Sequence, residues 1–572
     1  MRGTRLWILV IVLMLVIVLA IAAGAGFYYV ISRPPAIEKE TVVEVNLSGV
    51  VSELPAEDPF TILLGSRVQD LWKLRKVFRS ASQDDRVTAV FLKIQPLMTS
   101  WAQIEEIRES LLSFRTSGKQ VHAFLAVDMA TERELYLASA ADHVTLSPIA
   151  SVLMNGLMAE VVFMKRTMDK LGVRPQFIHF KEYKDPEIYS RESLTPEIRG
   201  MLRSVLTDLQ DRFVQTVSAD REVEEQRLRQ LMDIGILSAK MAMDEGLIDA
   251  VGYEHQIRNE IQASTGATTY RSSTVSEYLD TVDNWQRRQA EARVAVVGAV
   301  GTIISGSSEP FAGLMGGSTI AGRLREVRED GSFDGVILRV NSPGGSAVGS
   351  DMVWKEVRLL EEANIPVVVS MSSTAGSGGY YIAMGASRIV SQPSTITGSI
   401  GVLFGKFDLS GLYDWLGMDV DRIKLAPNAD IFSPFSSMTS EQRDQVEQLM
   451  LAVYEDFVGK AAEGRQTSFE DLEPKARGRI YTGAQALENG LVDELGGFTA
   501  AVKAMKEELI LSETDEIELE LYPRPKSFWE ALASNELFEV RIPQQLSQYF
   551  SEELRRLEIP SAWLLVPDIR IY

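Results

Sequence analysis

The stretch Tyr381-Ile382-Ala383-Met384-Gly385-Ala386-Ser387-Arg388 answers an earlier one, Tyr136-Leu137-Ala138-Ser139-Ala140-Ala141-Asp142-His143, 245 residues upstream. Leu171-Gly172-Val173 and Leu416-Gly417-Met418 keep the same offset, and Gly246-Leu247-Ile248-Asp249 matches Gly490-Leu491-Val492-Asp493 within one residue of it. A register held over so long a span indicates a duplicated domain, not a short solenoid period. Two units follow, residues 41–262 and 292–508. Each reads as short apolar strands alternating with amphipathic helices. The second unit shows strands at Gly335–Val340, Pro366–Ser370 and Arg388–Val390, with a helix over Ser350–Ala363. The first shows strands at Ala89–Ile94, Val121–Leu125 and His143–Leu146. Unbroken apolar runs separated by helices predict buried parallel strands in an α/β layout.

The 572-residue length allows about two to four domains. With 58 basic and 79 acidic residues the net charge is −21, which disfavours a nucleic-acid backbone as partner. The absence of cysteine excludes thiol catalysis, cysteine zinc sites and disulfides. Leu6 to Ile31 is uncharged, preceded by Arg2 and Arg5 and followed by Arg33-Pro34-Pro35. It is long enough to span a bilayer, so residues 6–31 read as a transmembrane anchor with the bulk of the chain on the outer side. A cleaved signal peptide is the competing reading; the apolar run exceeds the usual core of one. Residues 263–291 read as a linker ending in a polar, helical stretch, and 509–572 as a C-terminal extension of undetermined role.

The chemistry-bearing residues concentrate in the second unit. Asn341-Ser342-Pro343-Gly344-Gly345-Ser346 follows a strand and precedes a helix, a setting in which two glycines can aim amide groups into a cleft. Thr374-Ala375-Gly376-Ser377-Gly378-Gly379-Tyr380-Tyr381 joins another strand to a helix, with Ser377 either an ordinary helix cap or a nucleophile beside polarised amides. A serine nucleophile needs a base. All four histidines, His122, His143, His179 and His255, lie in the first unit, and the two on predicted strands read as structural. The alternative base is a lysine with a pKa lowered by burial; Lys181 and Lys184 in Phe180-Lys181-Glu182-Tyr183-Lys184-Asp185 both qualify from the residues alone.

These motifs, together with Pro393-Ser394-Thr395-Ile396-Thr397-Gly398-Ser399-Ile400-Gly401, resemble the signal peptide peptidase A (protease IV) family in its long tandem-domain form. The resemblance implies tandem crotonase/Clp-protease-like domains, built of ββα-type superhelical repeats after an N-terminal transmembrane helix, and a Ser/Lys dyad that needs no cofactor. It implies Ser377 as nucleophile, Lys184 as general base, Ser399 as the group orienting the lysine, and the backbone amides of Gly345 and Gly378 as the oxyanion hole. The implied substrates are remnant signal peptides and other apolar peptides. The implied setting is the inner membrane, with the catalytic domains on its periplasmic side and the chain assembled as a homotetramer.

Two residues depart from the family pattern. Gly376 stands where many members have alanine, and Asp185 where small residues are familiar. An ionised Asp185 beside Lys184 would favour the protonated amine, so its side chain is expected to point elsewhere. By the 245-residue offset Ser377 corresponds to Glu132 and Lys184 to Ala429, while the glycine loop falls on Gln95-Pro96-Leu97-Met98-Thr99. Neither unit keeps both groups, which predicts one active site shared between the two. A catalytically idle membrane scaffold and a crotonase-type acyl-CoA enzyme are the alternative readings.

Overall fold

The computed structural model describes residues 37–55, 69–282 and 290–524, and the strands Trp563–Leu565 and Arg570–Ile571. The anchor at 6–31 lies outside the described residues, as do the Trp285–Gln289 part of the expected linker helix and most of the C-terminal extension. Among the described residues no helix is long and apolar enough to cross a membrane.

The duplication is visible strand by strand. In the first half β1 (Thr41–Gly49), β2 (Val87–Leu97), β3 (Gln120–Leu125), β4 (His143–Leu146), β5 (Ala250–Val251) and β6 (Arg271–Thr274) form a parallel sheet in the order β5-β4-β3-β2-β1-β6. In the second half β7 (Ala292–Val300), β8 (Gly335–Ser342), β9 (Val367–Gly376), β10 (Arg388–Ser391), β11 (Ile396–Gly398), β12 (Ile480–Thr482), β13 (Glu494–Leu495) and β14 (Ile517–Tyr522) repeat that order as β13-β10-β9-β8-β7-β14. There β11 pairs with the last residues of β9, Thr374–Gly376, and β12 pairs antiparallel with β11. Even single hydrogen bonds recur. Asp249 accepts from the Val144 amide and pairs with Arg221, and Asp493 accepts from the Ile389 amide and pairs with Arg465.

Residues Val336, Ile337, Leu338 and Val340 are fully buried, which is why β8 reads as one apolar run instead of an alternating strand. Burial of each such side chain stabilises the fold by roughly 1.5–3 kcal/mol. Two expected boundaries are corrected. The stretch read as a linker from 263 contains β6 and the helix Val275–Val282, whose Val275, Tyr278 and Leu279 enter the first core. The second unit does not end at 508, because β14 pairs with β7 and closes the sheet edge. Both strands are short and join the sheet by pairing with a distant partner, which local pattern does not reveal.

The halves meet through polar groups taken out of water. The helix Trp101–Arg115 buries Gln103, Glu105 and Glu106. Arg339 of β8 donates to Glu53 at 2.9 and 2.8 Å and to Glu106 at 2.7 Å. Glu53 also accepts from Asn341 at 2.7 Å, Ser372 at 2.6 Å and Gln103 at 2.6 Å. Glu105 accepts from the Ser394 amide and hydroxyl. The loop after β8 is thereby tied to the first half. Replacing Arg339 by Met should destabilise the chain by about 3–5 kcal/mol in denaturant unfolding, because two buried carboxylates lose their cation. The triple variant Glu53→Gln/Glu106→Gln/Arg339→Met should recover most of that loss.

Candidate active site

The Gly344-Gly345 loop turns sharply after β8, with φ of 101° and 149°, values that side chains rarely adopt. A Cβ at Gly345 would collide with the Ile303 carbonyl oxygen. A Cβ at Gly378 would lie 3.1 Å from the Gly345 nitrogen, so the two backbones run side by side. Ser377 stands between β9 and the short helix Gly378–Ala383 at φ 55°, ψ −115°. Strain of this kind costs about 1–3 kcal/mol and persists only where the surroundings impose it. Here the Ser377 amide donates to the Gly398 carbonyl at 2.8 Å, and its carbonyl accepts from the Tyr381 amide at 2.9 Å. The Ser377 side chain caps no helix amide. It points at Lys184.

Lys184 arrives from the first half, on the loop following the strand Arg174–His179, which pairs antiparallel with Leu403–Asp408. The Tyr183 amide donates to the Arg477 carbonyl, and Gly478, at φ 82°, packs so closely that a Cβ there would lie 2.7 Å from the Lys184 Cβ. Gly401 leaves similar room along the stem, its Cβ position being 3.5 Å from Lys184 Cδ. Lys184 Nζ ends 2.9 Å from Ser377 Oγ, 2.8 Å from Ser399 Oγ and 3.1 Å from the Ser399 carbonyl oxygen. Ser377 and Ser399 are fully buried and Lys184 is 4% exposed. Burial pushes the Lys184 ammonium down to about 7. A neutral amine and a hydroxyl within hydrogen-bond distance can exchange the serine proton.

The five expected site residues are therefore gathered at one place. Asp185, as the sequence requires, faces away: it pairs with Arg191 at 3.0 Å and lies 3.5 Å from His179. Lys181 is half-exposed and lies 3.5 Å from Glu473. His122 and His143 stack on each other at 5.3 Å in the first sheet, and burial pushes His122 down to about 4. Sequence reasoning missed Glu53, which holds Asn341 at the root of the glycine loop, and the packing roles of Gly401 and Gly478. A lone Glu in Ser52-Glu53-Leu54-Pro55 carries no local signal of burial. Among the described residues no group of three or more His, Asp or Glu side chains is placed to hold a metal ion.

The corresponding place in the first half is plugged. Glu132, opposite number of Ser377, accepts from the amides of Asn155 and Gly156 at 2.8 and 2.9 Å, and Glu134 accepts from the Leu97 amide at 2.7 Å. A carboxylate that accepts two backbone amides stands there where the second half has the Ser377 hydroxyl.

Comparison with known proteins finds one family in both halves. The model of peptidase family S49 matches twice, over residues 113–268 and 360–512, together more than half of the chain. Protease 4 of Salmonella typhi is 31% identical over 80% of this chain and 76% of its own length. Serine protease SPPA, chloroplastic, of Arabidopsis thaliana is 29% identical over 86% of this chain and 72% of that protein. A shorter Enterococcus faecium protein, named as a candidate signal peptide peptidase SppA, is 36% identical over 34% of this chain and 57% of its own length.

The buried amine gives a stability signature. In the unfolded chain lysine titrates near 10.5, and in the folded chain Lys184 titrates near 7. Between these values the unfolded state holds a proton that the folded state lacks, so this site's contribution to stability is lowest below about pH 7 and rises up to about pH 10.5. Lys184→Met should raise stability by on the order of 4 kcal/mol at pH 6. The gain should shrink toward pH 10, as read from denaturant midpoints across that range.

Proposed function

The chain belongs to peptidase family S49 and is a serine peptidase, and on that premise we propose that Ser377 and Lys184 are its catalytic dyad, one group from each half. The observation that carries this reading is the 2.9 Å approach of Lys184 Nζ to Ser377 Oγ between two buried side chains. Neutral Lys184 takes the hydroxyl proton as Oγ attacks a peptide carbonyl, and the ammonium then returns a proton to the leaving amine. Water, deprotonated by the same lysine, resolves the acyl-enzyme. Ser399 fixes the amine through its hydroxyl and carbonyl, and at the stage when the amine is charged both oxygens accept from it. The Gly345 and Gly378 amides receive the oxyanion; removal of one such donor typically lowers kcat by about 100- to 1000-fold.

We read the two halves, 41–262 and 292–508 with the extensions found above, as tandem crotonase-like, Clp-protease-like domains following an anchor at residues 6–31. The substrates are remnant signal peptides and other apolar peptides, a class suggested by the naming of the Enterococcus relative and matched by a membrane-tethered enzyme on the periplasmic side. The chain is read as a homotetramer, and contact between copies is supported by the second-half segment around Trp415, Leu416, Met418, Ile423 and Leu425, which is largely exposed. Its first-half counterpart, by the repeat offset, is the region including Arg174–His179, which lies against the other half. A second copy offers the surface this segment lacks.

Hydrolysis of a fluorogenic apolar peptide by the full chain in detergent tests the dyad. Ser377→Ala and Lys184→Ala should each lose at least about 1000-fold in kcat/KM, Ser399→Ala about 10- to 100-fold, and Lys181→Ala nothing beyond error. Activity persisting in a folded Lys184→Ala variant would contradict the dyad, and an inactive wild type would favour the idle scaffold.

A further inference from the structure

The two amides offered to the oxyanion stand at the heads of two helices. Gly345 comes just before Ala347–Glu362, and Gly378 is the first residue of Gly378–Ala383. An oxyanion accepts from both amides at once, so the two helices must keep one register. The second helix cannot supply it alone: it is six residues long and opens on two glycines.

Tyr381 makes the connection. Its amide donates to the Ser377 carbonyl at 2.9 Å and so fixes the strained backbone of the serine. Its ring is buried, and its hydroxyl reaches Asp351 at 2.9 Å, on the helix behind the glycine loop, and Asp456 at 2.9 Å, on the helix Ser440–Gly464. One proton serves one carboxylate at a time, and Lys460 holds the pair together. Its Nζ donates to Asp351 at 2.6 Å and to the Tyr381 hydroxyl at 2.8 Å, lies 2.9 Å from Asp456, and sits 4.3 Å from the centre of the Trp354 ring. A Cβ at Gly378 would lie 2.6 Å from Ser350 Oγ, so the two helices touch beside the amides they position.

The first half supplies the comparison. The 245-residue offset lays Ala347–Glu362 on Trp101–Arg115 and Ser440–Gly464 on Pro196–Arg221, within two residues at every end. Tyr381 then answers to Tyr136, Asp351 to Glu106, Asp456 to Asp211 and Lys460 to Gln215. The tyrosine is kept and the cluster is dissolved. Glu106 accepts from Arg339 at 2.7 Å, Asp211 accepts from Arg229 at 2.9 Å, and the Tyr136 ring lies 4.3 Å from the Arg108 guanidinium. A cluster needed only to pack these helices would be needed in both halves.

We propose that Tyr381, secured by Asp351, Asp456 and Lys460, is a positioning residue for the reaction, one that sets Ser377 and the Gly378 amide against the Gly345 amide so that both donors meet one oxyanion. The proposal rests on the peptidase reading and adds to it a residue that touches no substrate. The oxyanion exists in the transition state and not in the bound peptide, so the hydroxyl acts on kcat and leaves KM alone.

The test uses the full chain in detergent. Tyr381→Phe keeps the buried ring and removes the hydroxyl; for the fluorogenic apolar peptide kcat should fall about 10-fold with KM unchanged. An aldehyde of the same peptide, whose carbonyl carbon takes up Ser377 Oγ and whose oxygen then faces the two amides, should bind more weakly by the same factor. Binding of the uncut peptide to the Ser377→Ala chain, read by anisotropy, should not change when Tyr381→Phe is added. Lys460→Met should lower kcat in the same direction and add little to Tyr381→Phe, while Lys460→Arg should keep the wild-type rate. Tyr278→Phe deletes a hydroxyl 3.1 Å from Asp84 in the first half, which controls for lost stability, and should keep the wild-type kcat. Wild-type kcat and aldehyde affinity in Tyr381→Phe, or a raised KM with kcat unchanged, would overturn the positioning role. A wild-type chain that cuts no peptide, yet is labelled at Ser377 by a fluorophosphonate about 10-fold faster than Tyr381→Phe, would overturn the peptidase reading and leave the positioning role standing.

Discussion

The desolvation of one amine governs how the rest of this molecule is arranged. An ammonium at the Lys184 position is held away from water, and burial lowers its pKa to about 7. The site therefore has to offer the amine oxygen partners, keep Asp185 turned aside, and close around the stem. Ser377 and Ser399 do the first, Arg191 the second, and Gly401 and Gly478 the third. Since the lysine and the serine come from different halves, the halves must also be fixed to within a hydrogen-bond length. The Glu53, Glu106 and Arg339 cluster supplies that registration, and through Asn341 it reaches the glycine loop as well.

Duplication explains why such a division is possible. Two copies of one strand order give two equivalent places, and each copy has kept what the other has lost. In the first half Glu132 and Glu134 absorb the backbone amides around the old site and turn it into a brace. In the second, the segment that would have carried a lysine is exposed and rich in apolar side chains. A family model that matches each half separately fits the same history.

Much of this was legible in the residues. The 245-residue register, the buried strands β2, β3, β8 and β9, and the two glycine loops all follow from local pattern, and the choice of Ser377, Lys184 and Ser399 rested on the resemblance to a known family. The strands Arg271–Thr274 and Ile517–Tyr522 were not legible, because a short edge strand is defined by its distant partner. Neither was the buried charge on the helix Trp101–Arg115, where Glu105 and Glu106 look like a solvated helix face until a second domain covers them. The geometry also separates Lys184 from Lys181, which the residues alone leave equivalent, by burying one and leaving the other half-exposed. The pairing of the strand Trp563–Leu565 with Gly344–Ser346 spans about two hundred residues and has no counterpart in local sequence.

The central claim is that a buried neutral lysine activates Ser377, and it is tested most directly by the rate at which a serine-reactive fluorophosphonate labels Ser377 as pH is varied. This readout needs no knowledge of the substrate. The account requires a labelling rate that rises through a single ionisation near pH 7 in the wild-type chain and collapses across the whole range in Lys184→Met. Labelling of the Lys184→Met chain at the wild-type rate, with the same pH dependence, would contradict it.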